Sequence, residues 1–523
     1  MNSKVSRTIR IGVTGTSKIN DKNSVNEKVI EILLKIDNIL SKTPYQLIVV
    51  SPLAQGADQI VTNTILEFKG SSKYLKSELE IISQEKLDDE NSDELSKFID
   101  LSSSKRTLND VLNDDIYNGI TNDYTHAGQL VVDKCDCLIA VWDEEKSKNG
   151  DTSNIVNYAR LNSIPVFIVN PNKSDEINEI NTGPFWDDLE YLNTYNNEKV
   201  DPKKFKEEIK SKEDILNMVN LNDTEKNLIR TNILVPLSKA NILAMHYQKG
   251  HFWSINLVYY FSAGAVAIVT LQLLLFPMIP QILFIEAGMM IAIILLYLWN
   301  KKEKWHRRWI DYRYLAERLR AATIFAISGL DCHISEHLPH QRLGDDWTLE
   351  AYYSIYQKQL EKPCKKLDFE QKREFVLKNW ILDQQRYYIK KSAQHERTDN
   401  ILNNIIYYSF GLTALLAIIH AMGVFWQTLE IPVISTITIL LVIVLPAVAA
   451  SCAGIKIQHE YLRISKRYSQ MASYLKTVEY NIRKLSSDDE DKLVEILENA
   501  NKMMLREHQD WRAIFSVRDA ELP

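Results

Sequence analysis

The sequence predicts an N-terminal α/β domain built on a parallel sheet. An all-α membrane region follows: two helical hairpins, giving four transmembrane helices, with long cytoplasmic flanking helices. Three observations carry this reading. Apolar segments of strand length alternate with helical periodicity across residues 8–170; four apolar runs of membrane-spanning length follow; and Lys and Arg crowd the flanks of those runs but not their turns. Averages alone mislead, because 45% hydrophobic residues, 25% charged residues and a mean hydropathy of −0.22 describe an ordinary soluble protein. A chain of 523 residues suggests about three domains at roughly 150 residues each.

The first strand, IRIGVTG, ends in Gly12-Val13-Thr14-Gly15-Thr16-Ser17, and a helix with apolar residues at Val29, Ile30, Leu33, Leu34 and Ile36 follows. A second strand, YQLIVV, breaks at Ser51-Pro52-Leu53, and Gln55-Gly56-Ala57-Asp58 opens a helix. Leu79 to Ser83 is a third strand. Cys135 to Asp143 is a fourth, after which Lys148-Asn149-Gly150-Asp151-Thr152-Ser153 opens another helix; Ile164 to Asn170 is a fifth. Such alternation gives a mostly parallel sheet covered on both faces. Ligands of such sheets bind beyond the carboxyl ends of the strands, where helix N-termini present free N–H groups. The candidate ligand-binding residues are therefore Gly12, Thr14, Gly15, Thr16 and Ser17 after strand one, and Ser51, Leu53, Gly56, Ala57 and Asp58 after strand two. Trp142, Asp143, Gly150, Thr152 and Ser153 join them after strand four. Glycines let the backbone approach an anion, hydroxyls donate to phosphate or ribose oxygens, and Trp142 offers a face for stacking on a base.

Ile255 to Phe276 is 22 residues without a charge, and at about 1.5 Å per residue it spans a bilayer core of roughly 30 Å. Pro277 and Pro280 mark a tight turn before the second run, Ile282 to Trp299, which holds Glu286 near its turn end. Ile405 to Trp426 and Ile434 to Ile455 repeat the design around Glu430 and Pro432. Lys301, Lys302, Lys304, Arg307, Arg308, Lys390, Lys391, Arg397, Lys456, Arg463, Lys466 and Arg467 flank the runs, so the positive-inside bias places both termini and all large segments in the cytoplasm. Asn256-Leu257-Val258-Tyr259-Tyr260 opens the first run and Asn404-Ile405-Ile406-Tyr407-Tyr408 opens the third, 148 residues later. Basic, Tyr-rich helices flank each hairpin, as an internal repeat would have it. Glu286, Gln272 and His420 are the pore candidates, since intramembrane polar groups face a protein interior or a water path; snorkelling to the headgroups is the other reading of Glu286. Thr270, Gln272, Ser435 and Thr438 either line a polar seam or bond across helices.

Other features exclude more than they assign. A net charge of −6 gives no basic field for a nucleic-acid polymer. Five cysteines in a chain of this length make no disulfide framework, so reduced thiols and a cytosolic head are expected. The N-terminal segment enters a strand directly and predicts no cleavable signal. Cys332, His333, His337 and His340 have no standard zinc spacing and Pro339 interrupts them, so no metal is expected.

The segments IGVTGTS, SPLAQGAD, VVDKCDCLIAVWD and GDTSNIVNYARLNSIPVFIV resemble the SLOG superfamily, a Rossmann-like group of nucleotide-related sensors and phosphoribohydrolases. The remainder resembles tandem SLATT domains, the two-span effectors found beside nucleotide-sensing domains. The resemblance implies a SLOG-like head over 1–175, a helical linker over 176–230, SLATT-like units over 231–340 and 341–510, and a tail over 511–523. It implies a bacterial anti-phage effector of the inner membrane, multi-pass, acting as a homo-oligomer, in which a nucleotide-derived signal triggers permeabilisation of the bilayer. The head departs from the family in Asp151, where a glycine is common, in Glu144, and in Ile155, where phosphoribohydrolases need a carboxylate. An apolar residue at the acid/base position favours binding over hydrolysis, with no catalytic residues and no cofactor beyond the ligand. The alternative is a membrane-tethered enzyme that hydrolyses a nucleotide or NAD-like substrate.

Overall fold

The computed structural model describes residues 4–71, 73–83, 102–107, 124–143, 151–172, 177–330, 347–360, 367–422, 432–487 and 489–516. It divides into two compact units, Met1–Lys199 with His333–Lys362, and Val200–Cys332 with Pro363–Pro523.

Among the described residues the first unit holds a seven-stranded sheet: β1 (Arg7–Gly15), β2 (Tyr45–Ser51), β3 (Tyr74–Ser83), β4 (Ser102–Thr107), β5 (Cys137–Val141), β6 (Val166–Val169) and β7 (Ile177–Ile180). The order is β4-β3-β2-β1-β5-β6-β7, parallel throughout except β7, which runs antiparallel to β6. The helices are α1 (Lys22–Ile39), α2 (Ala57–Glu67), α3 (Tyr124–Lys134), α4 (Asp151–Leu161), α5 (Thr182–Asn197) and, from the later segment, α11 (Trp347–Leu360). Helix α1 shows why they form. Val25, Val29, Ile32, Leu33 and Ile36 recur at helical spacing on one buried face, and the Asp21 carboxylate caps the start by accepting from the Ser24 N–H at 3.0 Å. Central strands buried on both faces are continuous apolar runs, as CLIAV in β5 is. Each such Val, Ile or Leu contributes about 1.5–3 kcal/mol by leaving water.

The five expected strands are present; β4 and β7 are additional. Residues 176–230, expected as a linker, supply β7 and α5, which complete this unit: Asn196 of α5 accepts from the Val5 N–H and donates to its carbonyl, both at 2.9 Å. Helix α11 returns to the same unit. Its Glu350 is ion-paired with buried Arg7, and Trp347 packs on Tyr195 with ring centroids 5.4 Å apart.

The second unit is helical and contains, among the described residues, four helices long and apolar enough to cross a membrane. Helices α6 (Pro202–Glu213) and α7 (Asp223–Ile229) lead into it. Its elements come in two series of like layout. Helix α7 and helix α12 (Phe369–Val376) each pass through one π-helical turn, Arg230–Leu234 and Leu377–Ile381. Each then enters a 41-residue helix, α8 (Val235–Leu275) or α13 (Leu382–Met422), that carries basic flank and apolar run without a break. Helices α9 (Leu283–Glu303) and α14 (Pro432–His459) follow, and each ends at one residue in the left-handed region, Lys304 at φ 49° and Glu460 at φ 47°. The chain then bends into α10 (Trp305–Ser328) and α15 (Tyr461–Arg483); α16 (Glu490–Ser516) closes the second series.

The correspondence reaches side chains. Helix-one positions recur after 148 residues and helix-two positions after 156. Asn300 lies 3.5 Å from His251, and Lys456, its counterpart, lies 3.5 Å from Asp399, the counterpart of His251. Tyr247 meets Tyr312 edge-on at 5.7 Å, and their counterparts His395 and Tyr468 meet edge-on at 5.9 Å. The same places therefore tie the same helices together with different chemistry.

Candidate functional site

In the first unit the chain order reverses between β1 and β5, so the crevice at their carboxyl ends is the topological switch point. Three loops converge there. The Thr16 N–H donates to the Val141 carbonyl at 3.0 Å, and the Ala57 N–H donates to the Thr16 carbonyl at 3.1 Å. Gly15 is required by this closeness, since a Cβ would stand 2.5 Å from Ala57 Cβ and 2.7 Å from the Val141 carbonyl oxygen. Gly56 precedes α2 at φ 99°, pressed on the Ser17 backbone.

The structure sorts the sequence-derived candidates into two sets. Gly15, Thr16, Ser17, Gly56 and Thr152 retain exposed surface. Gly12, Thr14, Ser51, Leu53, Ala57, Asp58, Trp142, Asp143 and Ser153 are buried. Gly12 is used for packing, because a Cβ there would stand 2.8 Å from Cys135 Sγ. Ser51 accepts from the Leu53 N–H at 3.0 Å, holding Leu53 at φ 56°. Asp143 accepts from Asn172 at 2.8 Å and from Asn170 at 3.4 Å, which ties the β5 and β6 loops. Trp142 departs from expectation: it is 4% exposed within an apolar cluster with Ile82, Leu138 and Ile168, so its ring serves the core and offers no open stacking face. Gly150, like Glu144, lies outside the described residues, as do Cys332, His333, His337 and His340. Ile155 is 1% exposed, and its side chain fills the space beside Gly128, 2.2 Å from where a Cβ would be.

Asp58 is the unusual group. Its Oδ2 accepts from the Ala54 N–H at 3.2 Å, latching the loop after β2, while Oδ1 is buried with no hydrogen-bond partner among the described residues. Burial pushes its carboxyl up to about 8, against the weaker downward pull of the Ala54 bond. An acid whose folded pKa is raised binds a proton in the folded state that the unfolded chain has already released. Its burden on stability is absent below about pH 4, grows as pH rises, and is complete above about pH 8. Asp58→Asn keeps the shape and removes the titration. The variant is expected to lose this downward slope of the unit's stability between pH 4 and 8, and to gain a few kcal/mol at pH 7. Denaturant unfolding of both proteins across that range checks it; parallel slopes would refute the protonated carboxyl.

In the helical unit, α8 packs along α9, α10 and α14, and α13 packs along α14 and α15. Within the apolar runs Thr270, Gln272 and Thr438 are buried, whereas Ser435 and His420 are exposed and Glu286 is half-buried. Gln272 is 5% exposed, and its amide oxygen has no hydrogen-bond partner among the described residues. Of the three pore candidates, Gln272 is thus the one turned into protein, and His420 is turned outward.

Sequence reasoning missed a histidine cluster near the basic-flanked ends of the apolar runs. His251 and His306 share a hydrogen bond of 3.1 Å between ring nitrogens, so one donates and the other accepts. His459 stacks between Phe252, at 4.3 Å, and Tyr461, at 4.9 Å, and bonds Asn256 at 3.0 Å. A cavity of about 240 Å³ opens beside it, lined among others by Phe252, Trp309, Arg313, His395, His459 and Tyr461. These residues come from both series of helices, and only the 148-residue spacing of the flanks could have brought them together in advance.

Residues 377–511 match the family described as SMODS and SLOG-associating 2TM effector domain 1. The match covers about a quarter of the chain, from the second π-helical turn into α16. None of the curated proteins matches the chain.

Proposed function

We propose that the chain is a signal-gated membrane effector of a bacterial anti-phage defence system. The sheet unit binds a nucleotide-derived signal at the β1/β5 crevice, and the helical unit, inserted in the inner membrane with both termini in the cytoplasm, then permeabilises it. The observation that carries the reading is the match of residues 377–511 to a two-span effector domain. The like layout of residues 223–328 supports a second such domain in tandem, and the parallel sheet with its switch point supports a SLOG-like head. The exposed Gly15-Thr16-Ser17 loop and Gly56 supply backbone and hydroxyl donors for a phosphate or ribose; Trp142 takes no part. Ile155, packed in the core, supports binding rather than hydrolysis. Gln272 supports a hydrated path, because an unpaired amide oxygen is costly in hydrocarbon and is relieved by water. A ligand gates such a path only by binding the open and resting states unequally.

Full-length protein in dye-loaded liposomes, challenged with mono-, di- and cyclic nucleotides, tests the reading. One class of nucleotide is expected to release dye and to be recovered unconsumed. Consumption without leakage would establish the tethered enzyme instead, and leakage indifferent to every nucleotide would remove the sensing role.

A further inference from the structure

We propose that the cavity between the two helical series binds a phosphate-bearing ligand, and that its depth makes a phospholipid headgroup the source. The site rests on the spanning part of the proposed function and is independent of what the sheet unit binds.

The polar lining is built of donors. Gln248 of α8, Arg313 of α10, His395 of α13 and Tyr461 of α15 all line the cavity, one from each of four helices. Arg313 turns one terminal nitrogen to Glu317 and to the Tyr387 hydroxyl, the latter at 3.3 Å. Its other N–H groups, the Gln248 amide, the Tyr461 hydroxyl and the His395 ring have no hydrogen-bond partner among the described residues. An imidazole keeps an N–H in either tautomer. No carboxylate lines the cavity among the described residues, and Arg313 shares Glu317 with Arg320, so one positive charge is left over. Unpaired donors around a guanidinium, with no carboxylate opposite, select an anion with several acceptor oxygens. Phosphate is such an anion, and Arg meets it with two parallel hydrogen bonds.

Depth and size identify the source. Phe252 and His459, also in the lining, lie three and four residues outside the apolar runs that begin at Ile255 and end at Ile455. At about 1.5 Å per residue this is roughly 5–6 Å, within a headgroup layer of about 5–7 Å. Trp253 and Trp299, exposed at the same ends, mark that level as tryptophans at a membrane interface do. The cavity volume of about 240 Å³ is below the roughly 300–1,000 Å³ of sites that enclose a drug-sized molecule. It therefore fits one group of a larger ligand whose remainder lies outside. His459 is stacked between Phe252 at 4.3 Å and Tyr461 at 4.9 Å, and that stack offers no gap for a nucleotide base. Ile310 and Ile464 supply an apolar wall for the glycerol end. Because the lining comes from both series, an occupant ties them together.

Thermal unfolding of the full-length protein tests this, after solubilisation and removal of lipid until a phosphorus assay finds none bound. The protein is titrated with dihexanoyl phosphatidylglycerol, with dihexanoylglycerol, which lacks the phosphate, and with glycerol 3-phosphate, which lacks the chains. The phospholipid is expected to raise the melting temperature saturably, and the other two to leave it unchanged over the same range. Arg313→Gln and Tyr461→Phe are each expected to raise the half-saturating concentration about tenfold or more, the loss of one hydrogen bond to a charged group. Tyr461→Phe guards against misfolding: its hydroxyl has no partner among the described residues, so the lipid-free melting temperature should match the wild type. Identical titrations of wild type and both variants would overturn the site. Equal stabilisation by dihexanoylglycerol would overturn the phosphate, and equal stabilisation by glycerol 3-phosphate would overturn the lipid source. Release of the wild-type chain from cell membranes by carbonate would overturn the spanning reading instead, and the two failures are told apart because the titration is read in detergent.

Discussion

Gly56→Val is expected to lower the stability of the sheet unit by about 3 kcal/mol or more, for two reasons that add. The residue sits at φ 99° and ψ −117°, a conformation that a side chain adopts only under strain. Its Cβ would also meet the Ser17 backbone, 2.4 Å from the carbonyl oxygen and 2.6 Å from the carbonyl carbon and Cα. No rotamer relieves a clash with backbone, so the Thr16–Ser17 loop must move and the Ala57–Thr16 hydrogen bond is lost. For a unit of about two hundred residues this is a fall of roughly 6–12 °C in melting temperature. On the proposed gating, signal-dependent toxicity is expected to disappear with it while membrane retention persists, because the apolar helices belong to the other unit. Gly183→Ala is the matched control. It lies in the first turn of α5 with nothing within 4 Å of the added carbon, and it should leave melting and toxicity unchanged or slightly improve the former. Melting curves, toxicity on expression and carbonate extraction of the three proteins decide the matter; an unshifted Gly56→Val would show that the loop is not packed as described.

Periodicity and length made the larger features legible. Val29, Leu33 and Ile36 announce a helix, although Ile30 and Leu34, read with them, are exposed; CLIAV announces a buried strand, and Ile255 to Phe276 a helix long and apolar enough to cross a membrane. Strands β4 and β7 were not legible. SSSKRT and INEI sit at sheet edges and carry no apolar alternation to betray them. Helix α11 was missed as part of the head because its attachment, through Arg7 and Tyr195, joins residues far apart in sequence. The site was half legible. A Gly/Thr loop after a strand locates the crevice, but whether Trp142 faces ligand or core depends on the parity of one position at a strand end, which no pattern fixes. In the helical unit, the 148-residue echo of Asn256-Leu257-Val258-Tyr259-Tyr260 was visible, whereas the His251–Asn300 and Asp399–Lys456 pairs were not, since equivalent places hold unlike residues.

The seam between α8 and α14 makes the second large prediction. Gly454→Leu should destabilise the helical unit, and Tyr259→Ala should rescue it. In a helix the replacement of glycine by leucine normally gains about 1 kcal/mol, so in isolation the change is favourable. Tyr259 reverses the sign. A Cβ at position 454 would stand 2.1 Å from Tyr259 Cε1 and 2.6 Å from Cζ, and the further carbons of leucine have nowhere to go unless the ring or the helix yields. Overpacking of this kind costs about 1–3 kcal/mol, and separation of the helices would also stretch the neighbouring Asn256–His459 bond. Tyr259→Ala alone loses the ring's packing over the glycine; combined with Gly454→Leu, it opens the space that the leucine side chain fills. Thermal unfolding of the four detergent-solubilised proteins should therefore give a coupling energy of about 2 kcal/mol or more, with the double variant more stable than Gly454→Leu alone. Additive effects would mean that α8 and α14 do not touch at this level. The cycle thus tests one of the contacts that join the two helical series, without reference to any ligand.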